Sequence, residues 1–259
     1  MAEIFLEDPF RSMWEGKDIF DEVARLSGEE FRRVKTRRTF RIEVDGKGFF
    51  IKHHLGVGWK EIFKNLFQFK LPVTGARGEY NAIRLLEKVG VPTMSCAGFG
   101  ERFFDPSAKE SFIITRELAG MTSLEDFFAA GDAAPEVRRD IARRLGISVG
   151  KMHASGLNHR DCYICHFLRS SESFELHVID LHRAQIRKKT PFRYAVKDVA
   201  GILFSAFDLS LSLREVALFY REYKRAGNKD SRRFRQAVFK AACKLYFKEH
   251  GRNAPPVTR

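Results

Sequence analysis

The sequence predicts an α+β protein of two lobes, because strand-like segments dominate up to about Gly120 and helix-like segments dominate beyond it. Two patterns support that class. From 31 to 53, apolar and basic side chains alternate at period two around an Asp45-Gly46-Lys47-Gly48 turn, as in an antiparallel meander. After Pro135, long segments repeat apolar residues three and four apart, the spacing of amphipathic helices. A chain of 259 residues with 44% hydrophobic content has the apolar surface to fill such lobes. The expected division is residues 1–117, an antiparallel sheet with one or two helices, and residues 118–259, mainly helical.

In chain order, strands are expected near 31–36, 39–45 and 48–53. Residues 59–69 (WKEIFKNLFQF) place Trp59, Ile62, Phe63, Leu66 and Phe67 on one helical face. That aromatic face suits either packing on the protein's own core or contact with a membrane surface or acyl chain, with Lys52 and Lys70 nearby. Residues 76–89 (ARGEYNAIRLLEKV) read as a helix with Glu79 in its first turn, stopped by Gly90 and Pro92. Strands near 95–100 and 111–116 follow, and a capped helix begins at Ser123. A long helix over 135–155, a hairpin from 167–168 and 176–179, and helices near 196–207, 212–225 and 230–250 complete the order. Residues 253–259 read as a frayed tail.

Composition removes several classes. No apolar window of about 18 residues is present to span a bilayer. Residues 1–10 carry Glu3, Glu7 and Asp8 where a signal peptide needs basic and apolar regions. Cys96, Cys162, Cys165 and Cys243 are too few for a disulfide framework in a chain this long, so a cytoplasmic location is expected. The formal charge of +13 points to an anionic partner or substrate.

The chemistry concentrates in residues 158–168 (NHRDCYICHFL). His159-Arg160-Asp161 after a helix, followed by Asp180 after an apolar strand, has the order of a phosphotransferase site of the protein-kinase type. Such chemistry needs one carboxylate beside the acceptor hydroxyl and another holding Mg²⁺, roles that suit Asp161 and Asp180. Lys52 ends an apolar run, where phosphate oxygens and a carboxylate give its charge a reason; Glu79 is the natural partner, with His53 and Glu87 as rival positions. No glycine-rich phosphate loop is present, and the basic turn with Lys35, Arg37 and Arg38 takes its place, as phosphate ligands or as a solvated hairpin.

Where a kinase puts an Asn metal ligand, this chain has His166; an imidazole there favours Mn²⁺, acts through water, or meets a phosphate. The spacing of His159, Cys162, Cys165 and His166 also invites a zinc reading, against which buried apolar cysteine is the simpler account. Asp198 enters an apolar helix either as a helix-start residue favoured by the dipole or as a buried anchor for the His159-Arg160-Asp161 backbone.

NHRDCYICHFL at 158–168 with VIDLHRAQ at 178–185 resembles the WaaP/RfaP family of lipopolysaccharide core heptose(I) kinases of Gram-negative bacteria. The likeness extends over residues 37–66, 71–86 and 111–118, and so over most of residues 5–210. It implies a bilobal protein-kinase-like fold that uses ATP and Mg²⁺ to phosphorylate a hydroxyl of the first heptose of the nascent core. It places the catalytic carboxylate at Asp161, the metal-binding Asp at Asp180 and the nucleotide Lys at Lys52, with Glu79 as its helix partner; on the kinase reading of the residues themselves, His166 helps Asp180 with the metal and the backbone of Arg116, Glu117 and Leu118 is expected to meet the adenine. It further implies a lipid-linked lipopolysaccharide acceptor at the cytoplasmic face of the inner membrane, and the charge adds an acidic acyl carrier protein as a partner. Rival readings are a kinase of the same fold acting on proteins or small molecules, and a basic nucleic-acid-binding module. The sequence carries no aromatic-basic recognition motif for the latter, so no nucleic-acid partner is expected.

Overall fold

The computed structural model describes residues 2–34, 36–56, 75–102, 109–131, 133–170 and 174–258. Contacts divide the chain into one unit of residues 1–83 and 94–119 and a second of residues 84–93 and 120–259. The first unit is built on a six-stranded sheet of β1 (Glu3–Leu6), β2 (Glu29–Val34), β3 (Arg37–Val44), β4 (Lys47–His54), β5 (Cys96–Arg102) and β6 (Glu110–Arg116), in the order β1-β5-β6-β4-β3-β2 with every pair antiparallel. The β3–β4 turn is tighter than expected. Val44 pairs with Lys47, leaving Asp45 and Gly46 as a two-residue loop with φ of 52° and 71°, the left-handed pair of a type I′ hairpin.

Alternation assigns the two faces of this sheet. Phe40, Ile42, Phe49, Ile51, Phe112 and Ile114 face a buried cluster completed by Phe10 and Trp14 and by Phe20 and Val23 of two short helices, α1 (Phe10–Met13) and α2 (Ile19–Arg25). The Asp18 carboxylate caps α2 by accepting from the backbone N–H groups of Phe20 and Asp21. Neither helix nor β1 is foreseen from the sequence. The helix α3 (Arg77–Lys88) serves the opposite face, where Tyr80 stacks on Phe99 at 4.3 Å and the Ser111 hydroxyl accepts from the Ala76 N–H at 3.0 Å. The helix expected over 59–69 lies outside the described residues.

The second unit holds β7 (Met121–Ser123), β9 (Phe167–Ser170) and β10 (Leu176–Val178) in a three-stranded sheet, and β8 (Leu157–Asn158) paired with β11 (Gln185–Ile186). Its helices are α4 (Leu124–Ala129), α5 (Pro135–Ala154), α6 (Phe192–Ala206), α7 (Leu213–Arg225) and α8 (Arg232–His250). The helix expected near 196–207 starts instead at Phe192, after Pro191 as its N-cap. The pairs α5/α7 and α6/α8 pack together, with Tyr223 stacked on Phe234 at 5.5 Å. Residues 84–93 join this unit through Val178, whose N–H donates to the Pro92 carbonyl and whose carbonyl accepts from the Thr93 hydroxyl at 2.6 Å. Among the described residues no helix is long and apolar enough to cross a membrane.

Candidate active site

The pair β8/β11 brackets the loop that carries Asp161. Asp198, 1% exposed in α6, holds the loop backbone: its two carboxylate oxygens accept from the His159 N–H at 2.7 Å and the Arg160 N–H at 2.9 Å. His153 of α5 donates from Nε2 to the same carboxylate at 3.3 Å and meets the Tyr223 hydroxyl with Nδ1 at 2.9 Å. The buried-anchor role of Asp198 is therefore the one realised. The helix-start reading fails because α6 begins a turn and a half earlier. Gly201 lets α6 meet this loop, since a Cβ there would stand 2.5 Å from the Cys162 carbonyl oxygen.

His159 is fully buried and donates from Nε2 to the Ile179 carbonyl at 2.9 Å; burial, offset in part by that bond and by Asp198, pulls its pKa down and keeps the ring neutral. This bond ties the loop to the residue before Asp180. The Asp161 carboxylate accepts from Arg183 Nη1 at 2.7 and 2.9 Å, while the Asp161 carbonyl accepts from His166 Nδ1 at 2.7 Å. His166 stacks on His159 with 5.5 Å between ring centroids, and its Nε2 lies 3.8 Å from Asp180 Oδ2. Asp180 itself sits at φ 58°, ψ 52°, with His182 Nδ1 donating to its other oxygen at 2.7 Å.

Asp161, His166 and Asp180 thus come together as one array, and His182 and Arg183 join it unforeseen. Their signal was present in VIDLHRAQ, where two basic residues follow the acidic one after a single Leu, within one tight turn. The geometry fits a divalent cation. With Nδ1–H committed to a carbonyl, a neutral His166 turns its Nε2 lone pair toward Asp180, the arrangement of an imidazole ligand fixed from behind. Burial pulls the His166 pKa down, but hydrogen bonds to Cys165 and to the Asp161 carbonyl, with the charges of Cys165 and Asp180, outweigh it and raise the value to about 9. Among the described residues no group of three or more His, Cys, Asp and Glu gathers to hold a metal. Burial pushes the Cys162 thiol well above its usual pKa, an environment for a packed thiol and not for a zinc thiolate.

In the first unit Lys52 Nζ donates to Glu79 Oε1 at 2.8 Å, with the Glu79 side chain 2% exposed. The rivals go elsewhere: His53 turns to the opposite face and meets Glu110 at 2.8 Å, and Glu87 pairs with Arg84. Strand register divides the basic turn. Arg37 stands opposite His54 on the Lys52 face, whereas Arg38 shares the Phe40 face and donates to the Leu26 carbonyl at 3.2 Å, at the end of α2. Register thus sets the two on opposite faces of the sheet, with Arg37 on the side of Lys52. Lys35 lies outside the described residues. The Arg116 N–H donates to the Ser95 carbonyl and the Glu117 N–H to that of Gly48, while the Glu117 carboxylate is held by Arg41 at 2.8 Å.

A Lys on an antiparallel sheet paired with a Glu of the next helix, followed in the chain by an anchored His-Arg-Asp loop and a second Asp after a strand, defines a phosphotransferase with a kinase-like fold. The model of the "Lipopolysaccharide kinase (Kdo/WaaP) family" matches residues 21–223, and the chain belongs to that family. It is 47% identical over 231 residues to the lipopolysaccharide core heptose(I) kinase WaaP of Pseudomonas aeruginosa, covering 86% of each chain. To the WaaP of Escherichia coli K12 it is 45% identical over 227 residues, covering 84% of this chain and 86% of that one. The solved structure of WaaP in complex with acyl carrier protein matches with a TM-score of 0.81 at 39% identity, over 94% of this chain and 99% of that chain.

Proposed function

We propose that this kinase transfers the γ-phosphoryl group of ATP to a hydroxyl of the first heptose in the inner core of lipopolysaccharide. The observation that carries the acceptor is the near full-length likeness to curated heptose(I) kinases. Asp161 orients the sugar hydroxyl and takes its proton as the oxygen attacks the phosphorus; the bond to the leaving ADP oxygen breaks, and Arg183 beside Asp161 adds positive charge. Lys52, steadied by Glu79, contacts the α- and β-phosphates. Asp180 and His166 would hold Mg²⁺ or Mn²⁺, which supplies charge neutralisation on the phosphates when bound. Arg37 remains a phosphate candidate on the Lys52 face. Of 116–118, the adenine contacts are the carbonyls and the Leu118 N–H, because the other two N–H groups are already committed.

An acidic acyl carrier protein is a partner of this chain in the same reading, supported by the carrier complex of its structural relative and by its own +13 charge. Work on a lipid-linked acceptor places the enzyme at the cytoplasmic face of the inner membrane as a peripheral protein. The test is to incubate purified protein with ATP and dephosphorylated core lipopolysaccharide and to locate added phosphate by mass spectrometry. A phosphate on the first heptose is expected; ATP turnover with no phosphate on the core overturns the acceptor.

A further inference from the structure

The second unit has a groove that neither Asp161 nor the Asp180–His166 pair uses. It measures about 330 Å³, lies against α6 and α8, and has Arg160 and Cys162, the immediate neighbours of Asp161, and Tyr163 in its wall. Helical spacing builds its rim. Arg193 and Lys197 stand one turn apart on α6, and Lys244 and Lys248 one turn apart on α8, placements that repel within each helix. Val196 and Leu245 supply an apolar floor. No carboxylate lines the groove, and among the described residues Arg160, Lys197, Lys244 and Lys248 form no ion pair. Burial first, and then the nearby Arg183, pull the Arg160 pKa down against the opposing charge of Asp161.

We infer that this groove binds an anionic group, a carboxylate or a phosphate, carried by the acceptor next to the sugar whose hydroxyl meets Asp161. The inference rests on the acceptor reading above and adds the residues that recognise it. An apolar floor suits the C–H face of a sugar ring, and a rim of cations suits its acid groups. The nucleotide phosphates have Lys52 and Asp180 assigned to them, so the groove is left to the other substrate. Because both chain neighbours of Asp161 line it, the groove begins beside the loop that carries Asp161.

The test is the triple variant Lys197→Gln, Lys244→Gln, Lys248→Gln, all at exposed positions, assayed with core lipopolysaccharide and ATP. The acceptor KM should rise on the order of tenfold or more while the ATP KM stays within about twofold. Two modified acceptors separate the sources: one with its sugar carboxyls reduced to alcohols, one stripped of phosphate. The acceptor lacking the bound group should be poor for the parent enzyme and no worse for the variant. If the parent phosphorylates the core and the variant keeps its acceptor KM, the groove assignment is wrong while the kinase reading stands. If the parent leaves the core unmodified, the acceptor reading itself falls. Loss of acyl carrier protein binding with an unchanged acceptor KM would assign the groove to the carrier and overturn the inference.

Discussion

Asp198 does its work without meeting either substrate. It is the acceptor for two consecutive backbone N–H groups and for His153, all in a buried place. Asp198→Ala leaves those donors unsatisfied and should cost about 3–5 kcal/mol in urea unfolding, whereas Asp198→Asn, keeping one acceptor oxygen, should cost less. Asp161 is the opposite case. Among the described residues its carboxylate hydrogen-bonds only to Arg183, so Asp161→Ala should fold normally, bind ATP within about tenfold of the parent by calorimetry, and lose phosphoryl transfer by about 10³-fold or more. An equal loss of binding and transfer would remove Asp161 from the acceptor side. Both carboxylates stand out in sequence, but for Asp198 the sequence leaves a helix-start role and an anchor role side by side. The anchor contact that decides between them forms 38 and 39 residues along the chain, where no local pattern encodes it.

At the scale of elements, helix ends have measurable consequences. In α7 the Ser212 hydroxyl accepts from the Glu215 N–H while the Glu215 carboxylate accepts from the Ser212 N–H, and Arg138 of α5 donates to that carboxylate at 2.6 Å. Burial works against ionisation of Glu215 but is outweighed by the bonds from Arg138 and Ser212, so its folded pKa lies below the ordinary value. A carboxylate shifted down in the folded state adds stability that is complete above its unfolded pKa, near about 4.3, and is lost as pH falls through the folded pKa. Unfolding free energies taken from about pH 6 down to pH 3 should therefore fall less steeply for Glu215→Gln than for the parent. The meander and the long helices could be read because they run for whole periods. By contrast, β1 and α1 have four residues each, too few to show a period, and only their packing as part of the Phe10–Phe49 cluster reveals them. The division between Arg37 and Arg38 is likewise a matter of register, in which one residue changes the face of the sheet.

For the whole molecule, 46 Lys and Arg stand against 33 Asp and Glu, and the surplus is unevenly placed. In the first unit Arg41, Arg77, Arg102 and Arg116 are matched with Glu117, Glu101, Glu110 and Glu7, whereas the groove beside Asp161 has a rim of unmatched cations. Attraction of an anionic acceptor to such a surface is screened by salt. Raising ionic strength from about 0.05 to 0.5 M should lower kcat/KM for the acceptor by roughly tenfold, mainly through KM, in initial-rate assays. A flat salt profile would mean that the acceptor is recognised by shape alone. The loop that faces this acceptor also contains a conflict of interest. Arg160 and Asp180 hold left-handed backbone, with φ of 77° and 58°, in residues that carry side chains. Such conformations cost of order 1 kcal/mol each and persist where the side chain is needed. A laboratory screen for heat resistance alone would be drawn to glycine or asparagine at Arg160, and the hardier enzymes it returned would have given up a cation next to the reacting hydroxyl.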